Sequence, residues 1–160
     1  MKKWLQIIKF WFCKKPDYNK WFKSKKKYDK YIKNNFINTL KSAENGDLFH
    51  WIYQKDSFLA LIILLDQFSR HIYRGTINAY KNDNMAINIV KLCINKYINK
   101  LDVYEKIFIL LPFQHSENIS DQYYGIKLLK NMILNETSSK KYVLEDLFYN
   151  HKHDILIYIF

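Results

Sequence analysis

Apolar residues fall at helical spacing along most of the chain, and short polar stretches separate the runs. A first helix is expected over roughly 2–12. A second is expected from about 26 to 43, where Tyr28, Tyr31, Ile32, Phe36, Ile37 and Leu40 keep the helical period until Gly46 stops it. A short turn, Asp47 to Tyr53, carries Trp51. The third helix is the clearest: Asp56 or Ser57 caps it, Phe58 to Leu65 is apolar all round, and Gly75 ends it after Arg74. A segment apolar on every side belongs at the centre of a core. Asp83 to Tyr97 places Ala86, Ile89, Val90, Cys93 and Tyr97 on one stripe. Asp102 opens a further helix, which Pro112, lacking a backbone N–H, is expected to end soon after Leu111. Two more are expected, from about Ser120 to Leu134 and from about Ser139 to the C-terminus. About seven helices with short links predict one all-α domain over residues 1–160, a bundle or an array of helical hairpins.

Composition agrees. The chain has 160 residues, enough to bury a real core, with only three Gly and two Pro. An all-β sandwich of this length needs many more turn residues. Cys13 and Cys93 lie far apart with no metal-ligand spacing, and two reduced thiols in or near the core are expected. Met1 to Phe12 faintly imitates a signal peptide, but Lys9 interrupts its apolar stretch and Lys14-Lys15-Pro16 stands where small residues should be. The longest apolar run, Phe58 to Leu65, is far too short to cross a bilayer, and a cytoplasmic chain with no membrane partner is expected.

The net charge of +11 is unevenly placed. Residues 1–41 hold thirteen Lys against Asp17 and Asp29, while residues 42–160 hold thirteen basic and thirteen acidic residues. The excess is densest at Lys23-Ser24-Lys25-Lys26-Lys27 and is of a kind that binds polyanions by counterion release. The abundance of Asn, Ile and Tyr beside Lys points to a coding bias, and a solvated lysine face is preferred over a nucleic-acid site. Against that bias, only two of the 26 basic residues are Arg, namely Arg70 and Arg74. Arg differs from Lys in the planar fork that grips carboxylate or phosphate at two points.

At about 100° per residue, Asp66, Arg70, Arg74 and Gln67 spread over an arc of about 100° on one helix face. Polar groups continuing an apolar helix need partners. Asp66 is expected to touch Arg70 one turn on, which partners one arginine within the helix and leaves Arg74 facing a like charge. Arg70 is therefore read as mainly structural. Arg74 is read as ligand-facing, its fork directed at an anion or at Glu117. A structural ion-pair network and a ligand site both fit these residues. The second cluster is Leu111-Pro112-Phe113-Gln114-His115-Ser116-Glu117, with Gln122 beyond it. With Pro112 ending the helix, His115 and Glu117 are expected on a loop, as acid–base groups approached by the face that carries Arg74. Trp51 and Gln122 are counted with the ligand-binding positions. No zinc-type ligand set and no phosphate-cradling Gly loop is present, and no cofactor is named by these residues.

These motifs carry a resemblance. Asp66-Gln67-Phe68-Ser69-Arg70-His71-Ile72-Tyr73-Arg74-Gly75, preceded by Leu65, resembles the pattern LDQfpRniyRG. Leu111 to Glu117 with Gln122 resembles LPfeHSEdlxxQ. Phe10-Trp11-Phe12, Trp21, Tyr28-Asp29 with Phe36, Gly46 with Trp51, and Ala79 to Ala86 around Asp83 come in the same order. The family is the one called domain of unknown function 924. The resemblance implies a TPR-like, right-handed array of helical hairpins in a cytosolic protein, and no established activity. It also implies a C-terminal segment rFGRFPHRNxxLGRxST. His153 and Phe160 fit its start, Ile159 stands where an Arg is expected, and either a shortened member or a truncated gene product is expected.

Three functional readings are compatible with these residues. The leading one is a pocket for a small anionic ligand, in a monomer, formed by Asp66, Gln67, Arg70 and Arg74 with His115 and Glu117, with an enzymatic role left open. The second is a scaffold that binds a peptide or protein in a groove. The third and weakest is nucleic-acid binding through the N-terminal lysines. A pocket enclosing both motifs favours the first, an open apolar groove the second, and a lysine face with exposed aromatics the third.

Overall fold

The structure, a computed structural model, describes every residue except Lys14, Ser24 and Phe160, with the backbone alone described for residues 151–159. The lysine cluster at 23–27 is therefore seen without Ser24. The side chains of His153 and Ile159 and the whole of Phe160, where the C-terminal family segment is expected to start, lie outside the described residues. The fold is all-α, with no strand among the described residues. In chain order the α-helices are α1 (Lys3–Trp11), α2 (Tyr18–Phe22), α3 (Lys26–Glu44), α4 (Lys55–Ile62), α5 (Ser69–Ile72), α6 (Asp83–Tyr97), α7 (Val103–His115), α8 (Ile119–Asn135) and α9 (Lys141–Ile159). A π-helical stretch, Ile63–Phe68, joins α4 to α5 without a break, so these three form one central rod. The chain divides into two compact units, Met1–Tyr97 and Ile98–Phe160.

In the first unit the rod is the core. Every residue from Phe58 to Leu65 is at most 2% exposed. Each of these side chains except that of Ala60 contributes about 1.5–3 kcal/mol by leaving water. The rod packs against α1, α3 and α6. Beside it Phe36 meets Phe68 at 5.0 Å, and Trp11 meets Phe68 at 5.5 Å and His71 at 5.9 Å. Lys20, 3% exposed, reaches from α2 to donate to the Phe10 carbonyl in the last turn of α1, so one lysine of the N-terminal set serves as a helix stop. Helix α3 ends as its glycine predicts. Gly46 takes φ +86°, its N–H donates to the Ala43 carbonyl, and the Asp47 N–H donates to the Ser42 carbonyl.

Three expectations need correction. The cap of α4 is Gln54, extended at φ −129° and ψ 145°, rather than Asp56 or Ser57. The short 3-10 turn Phe49–Tyr53 delivers the chain directly to that position. The Ser57 hydroxyl instead donates back to the Trp51 carbonyl at 2.6 Å and ties turn to helix. Cys13 is exposed and only Cys93 is buried, though both thiols are free. Pro112 does not end its helix: α7 runs through it to His115. A proline forfeits one hydrogen bond and crowds the preceding turn, a cost of about 3 kcal/mol. Here the surrounding apolar burial, from Ile107 to Phe113, outweighs that cost.

The second unit is built on α7, α8 and α9, each packed against the other two. Asp102 opens α7 with a full capping box: its side chain accepts from the Glu105 N–H, and the Glu105 carboxylate accepts from the Asp102 N–H.

Candidate functional site

The π-helical stretch changes the geometry that regular helical periodicity predicts. Its i→i+5 pattern fits one more residue into a turn and rotates the residues beyond it around the axis. Asp66 and Gln67 lie within it and are buried, at 0% and 7% exposed. Gln67 donates from Nε2 to Asp66 Oδ2 at 2.6 Å, so the amide satisfies the buried carboxylate beside it. Arg70 comes next on α5, and Arg74 stands past the helix end, in the turn closed by Gly75 at φ +79°. The four residues therefore grade from core to surface, from Asp66 and Gln67 through Arg70 to Arg74.

Arg70 touches Asp66 as expected, with Nη1 3.7 Å from Oδ1 and donating to the Asp66 carbonyl at 3.3 Å. Its principal partner is Asp83, the first residue of α6. Nη1 donates to Oδ1 at 2.8 Å and Nη2 to Oδ2 at 3.0 Å, with the guanidinium 5.3 Å from the Tyr80 ring. Burial works against the Arg70 charge, but the bonds to Asp83 and the charges of Asp66 and Asp83 outweigh it and raise the pKa.

Arg74 also spends its fork within the chain. Nε donates to Asp29 Oδ2 at 2.7 Å and Nη2 to Asp29 Oδ1 at 2.9 Å, a bidentate grip on α3. Within the first unit the acceptor of Nε and Nη2 is thus Asp29. His71 Nδ1 lies 2.7 Å from Asp29 Oδ1. A carboxylate only accepts, so Nδ1 carries the proton, although Arg74 Nη2 stands 3.2 Å away. Burial opposes the Asp29 charge, yet the bonds from Arg74 and His71 hold its pKa below the ordinary value. Burial also pushes the His71 imidazole down, Asp29 pulls it up, and the net shift is downward. Next to these, Asn82 donates to Glu44 Oε1 at 2.9 Å and to the Ser69 hydroxyl at 3.2 Å, and Lys81 donates to Glu44 Oε2 at 2.9 Å. Two acids of α3, Asp29 and Glu44, thereby hold the segment from Ser69 to Asp83 against the unit.

Sequence spacing does not single out Asp29, Glu44, His71, Asn82 and Asp83 as site residues. Asp29 and Asp83 nevertheless stand in the motifs that carry the family resemblance, and a search for acids to match two isolated arginines would raise both. Trp51 is 7% exposed, with its carbonyl taken by Ser57, and sits in the core.

In the second unit His115 is the last residue of α7 and half-buried, whereas Glu117 is exposed on the link to α8. Gln122 donates from Nε2 to the Ser116 carbonyl at 2.6 Å, and the Ser116 hydroxyl donates to Asp121 Oδ2 at 3.1 Å. Both bonds hold that link in shape. No cluster of three or more His, Cys, Asp or Glu suited to a metal ion occurs among the described residues. Nor is any described helix long and apolar enough to cross a membrane.

The first unit also carries a cavity of about 420 Å³ away from the arginines. Ala43, Gly46, Phe49 and Leu61 line it on one side, and Met85, Asn88, Ile89 and Leu92 on the other. Only Asn88 is polar. Phe49 is 48% and Leu92 64% exposed, both large apolar side chains turned to water.

A solved protein of unknown function from Agrobacterium tumefaciens is similar to this chain, with 27% identity, a TM-score of 0.76, and coverage of 91% of this chain and 80% of that one. No curated protein matches this chain. The family described as bacterial protein of unknown function (DUF924) matches residues 7–160. With the two long motifs and nearly the whole length matched, the chain belongs to that family.

Proposed function

We propose that this protein is an interaction module that recognises another protein through the apolar cavity of its first unit. The observation that carries this reading is a division of labour within that unit. Both arginines already grip carboxylates, Arg70 that of Asp83 through Nη1 and Nη2 and Arg74 that of Asp29 through Nε and Nη2. The concavity left open is lined by apolar side chains and edged by Phe49 and Leu92. A large apolar side chain kept half in water gives up about 1 kcal/mol that a partner would recover. Recognition of a small anion needs donors with spare capacity, and recognition of an apolar side chain needs a groove of this kind.

A second reading keeps a small anionic ligand, bound within the first unit by Asp66, Gln67, Arg70 and Arg74. Two observations favour it. Arg74 is 41% exposed and commits only Nε and Nη2 to Asp29. Asp66 and Gln67 lie on a π-helical stretch, an element frequent at functional sites.

Panning a phage-displayed random peptide library against the intact protein separates the two. Binders are expected that are lost on a Leu92→Glu, Phe49→Ser variant and kept on Arg74→Lys. Binders indifferent to the groove substitutions overturn the proposal. A thermal upshift with small anionic metabolites that Arg74→Lys abolishes supports the second reading.

A further inference from the structure

The charge of the first unit lies at its N-terminal end, in residues 1–41, none of which lines the apolar cavity. That stretch holds thirteen Lys and two Asp. Both acids are spent inside the unit. Asp29 is taken by Arg74 and His71, while Asp17 accepts from the Lys20 N–H at 3.0 Å and from the Tyr28 hydroxyl at 3.2 Å. Lys20 is buried, and eleven of the other lysines are exposed. Among the described residues no lysine of this stretch pairs with a carboxylate, so their charge faces water uncompensated.

Helix α2 adds a second feature. Its inner side is fixed, for Trp21 Nε1 donates to the Trp11 carbonyl at 3.0 Å and Lys20 Nζ to that of Phe10. Tyr28, by its bond to Asp17, ties the first turn of α3 to the cap of α2. Tyr18 and Phe22, one turn apart on α2, are 47% and 55% exposed, with ring centroids 6.4 Å apart and planes 28° from parallel. Two rings so held form a rigid aromatic platform. Lys15 precedes it and Lys23, Lys25 and Lys26 follow it, all exposed.

Cations beside flat rings are the two elements that bind a nucleic-acid single strand, the first taking phosphates and the second stacking bases. A duplex keeps its bases stacked inside, out of reach of such a platform. A segment that enters an anionic membrane buries a broad apolar face, aliphatic as well as aromatic. Here no Leu or Ile of residues 1–41 is exposed, and besides Met1 the exposed large apolar side chains are Tyr18, Phe22 and Tyr31. We infer that this face binds single-stranded RNA or DNA, with phosphates on Lys23, Lys25 and Lys26 and bases stacked on Tyr18 and Phe22. Lysine brings a point charge without a planar fork, so the binding is tolerant of sequence.

The test is a fluorescence-anisotropy titration of the intact protein at about 50 mM salt with labelled strands of about fifteen nucleotides. The probes are a deoxythymidine strand, a uridine strand, an abasic strand with the same phosphates, and a duplex. The deoxythymidine and uridine strands are expected to bind within about threefold of each other, since nothing on this face is fixed to read the 2′-hydroxyl. Both should bind at least about fivefold more tightly than the abasic strand or the duplex. Tyr18→Ala with Phe22→Ala should remove that advantage and leave the abasic strand unchanged. Lys23→Gln, Lys25→Gln and Lys26→Gln together should reduce the slope of log affinity against log salt by about 2, at about 0.7 for each phosphate contact. Equal binding of base-bearing and abasic strands leaves charge alone and overturns the stacking platform. A duplex that binds as tightly as the single strands overturns the choice of strand. A gap above about tenfold between deoxythymidine and uridine overturns tolerant recognition. Binding to phosphatidylserine vesicles and to no strand replaces the nucleic acid with a membrane, and absence of binding to every strand overturns the inference.

Discussion

Arg74 and Asp29, 45 positions apart in the chain, meet in a two-point grip of 2.7 and 2.9 Å. That single pair fixes the turn after the central rod onto α3 and places His71 on the same carboxylate. It also explains why a lysine-rich chain keeps an arginine there. One ammonium offers a point charge, whereas the planar fork matches both carboxylate oxygens at once.

The two arginines should differ in worth, in an order set by exposure. The Arg70 side chain is 20% exposed and that of Arg74 41%. Arg70→Lys forfeits one of two bonds to Asp83 and the stacking on Tyr80, and is expected to cost about 2 kcal/mol. Arg74→Lys should cost about 1 kcal/mol, since solvent already weakens that pair. Urea unfolding of both variants checks the order; a larger loss for Arg74→Lys would refute it.

Stability should fall as the solution is acidified through the histidine range. The folded-state pKa of His71 lies below its ordinary 6.5, so the unfolded chain binds the extra proton first. The contribution of this group is therefore complete above about pH 6.5 and is lost as pH drops towards the depressed folded value. Asp29, also depressed, adds a loss of the same sign at lower pH, below its ordinary 3.8. Urea midpoints between pH 8 and pH 5 should decline for the natural chain and flatten for His71→Gln. An unchanged slope in the variant would mean that other groups titrate there.

The second unit has its own acid-sensitive tie. Glu136 accepts from Lys106 Nζ at 3.0 Å, and its pKa is lowered from 4.5 to about 2 by that bond and by bonds from Ser138. Its contribution is present above pH 4.5 and disappears as pH falls through about 2. Glu136→Gln should remove this part of the acid sensitivity while leaving the region above pH 6 unaltered. Amide hydrogen exchange in α7 and α8, tracked from pH 5 downward, reads it directly.

Gly46 should resist replacement for backbone reasons alone. A Cβ there meets nothing within 4 Å, yet φ is +86°. Gly46→Ala is expected to cost about 1 kcal/mol, from the left-handed strain of an L-residue. Asn, which tolerates this region, should cost less. Equal stability of the Ala variant and the natural chain in urea would show that the turn relaxes to another conformation.

How much of this could be read from the residues is clearest along the central rod. Eight consecutive apolar residues, Phe58 to Leu65, have no polar face to offer water, so burial at the centre is dictated by composition alone. The boundaries of α6 and the start of α7 at Asp102 are legible for the same local reason: a cap and a helical stripe are properties of neighbours in sequence. Where a local rule meets tertiary packing, packing prevails. Pro112 should stop a helix by its own geometry, but it lies inside a run of buried apolar residues that keeps α7 intact. The polar arc from Asp66 to Arg74 assumes a uniform 3.6-residue turn, and the π-helical stretch removes that uniformity. The sequence by itself determined an all-helical chain with its most apolar segment at the core, and it marked Arg70 and Arg74 as residues with a geometric task. Only the tertiary structure decided what they grip, because Asp29 and Asp83 reach them through helix packing and no spacing along the chain encodes that meeting.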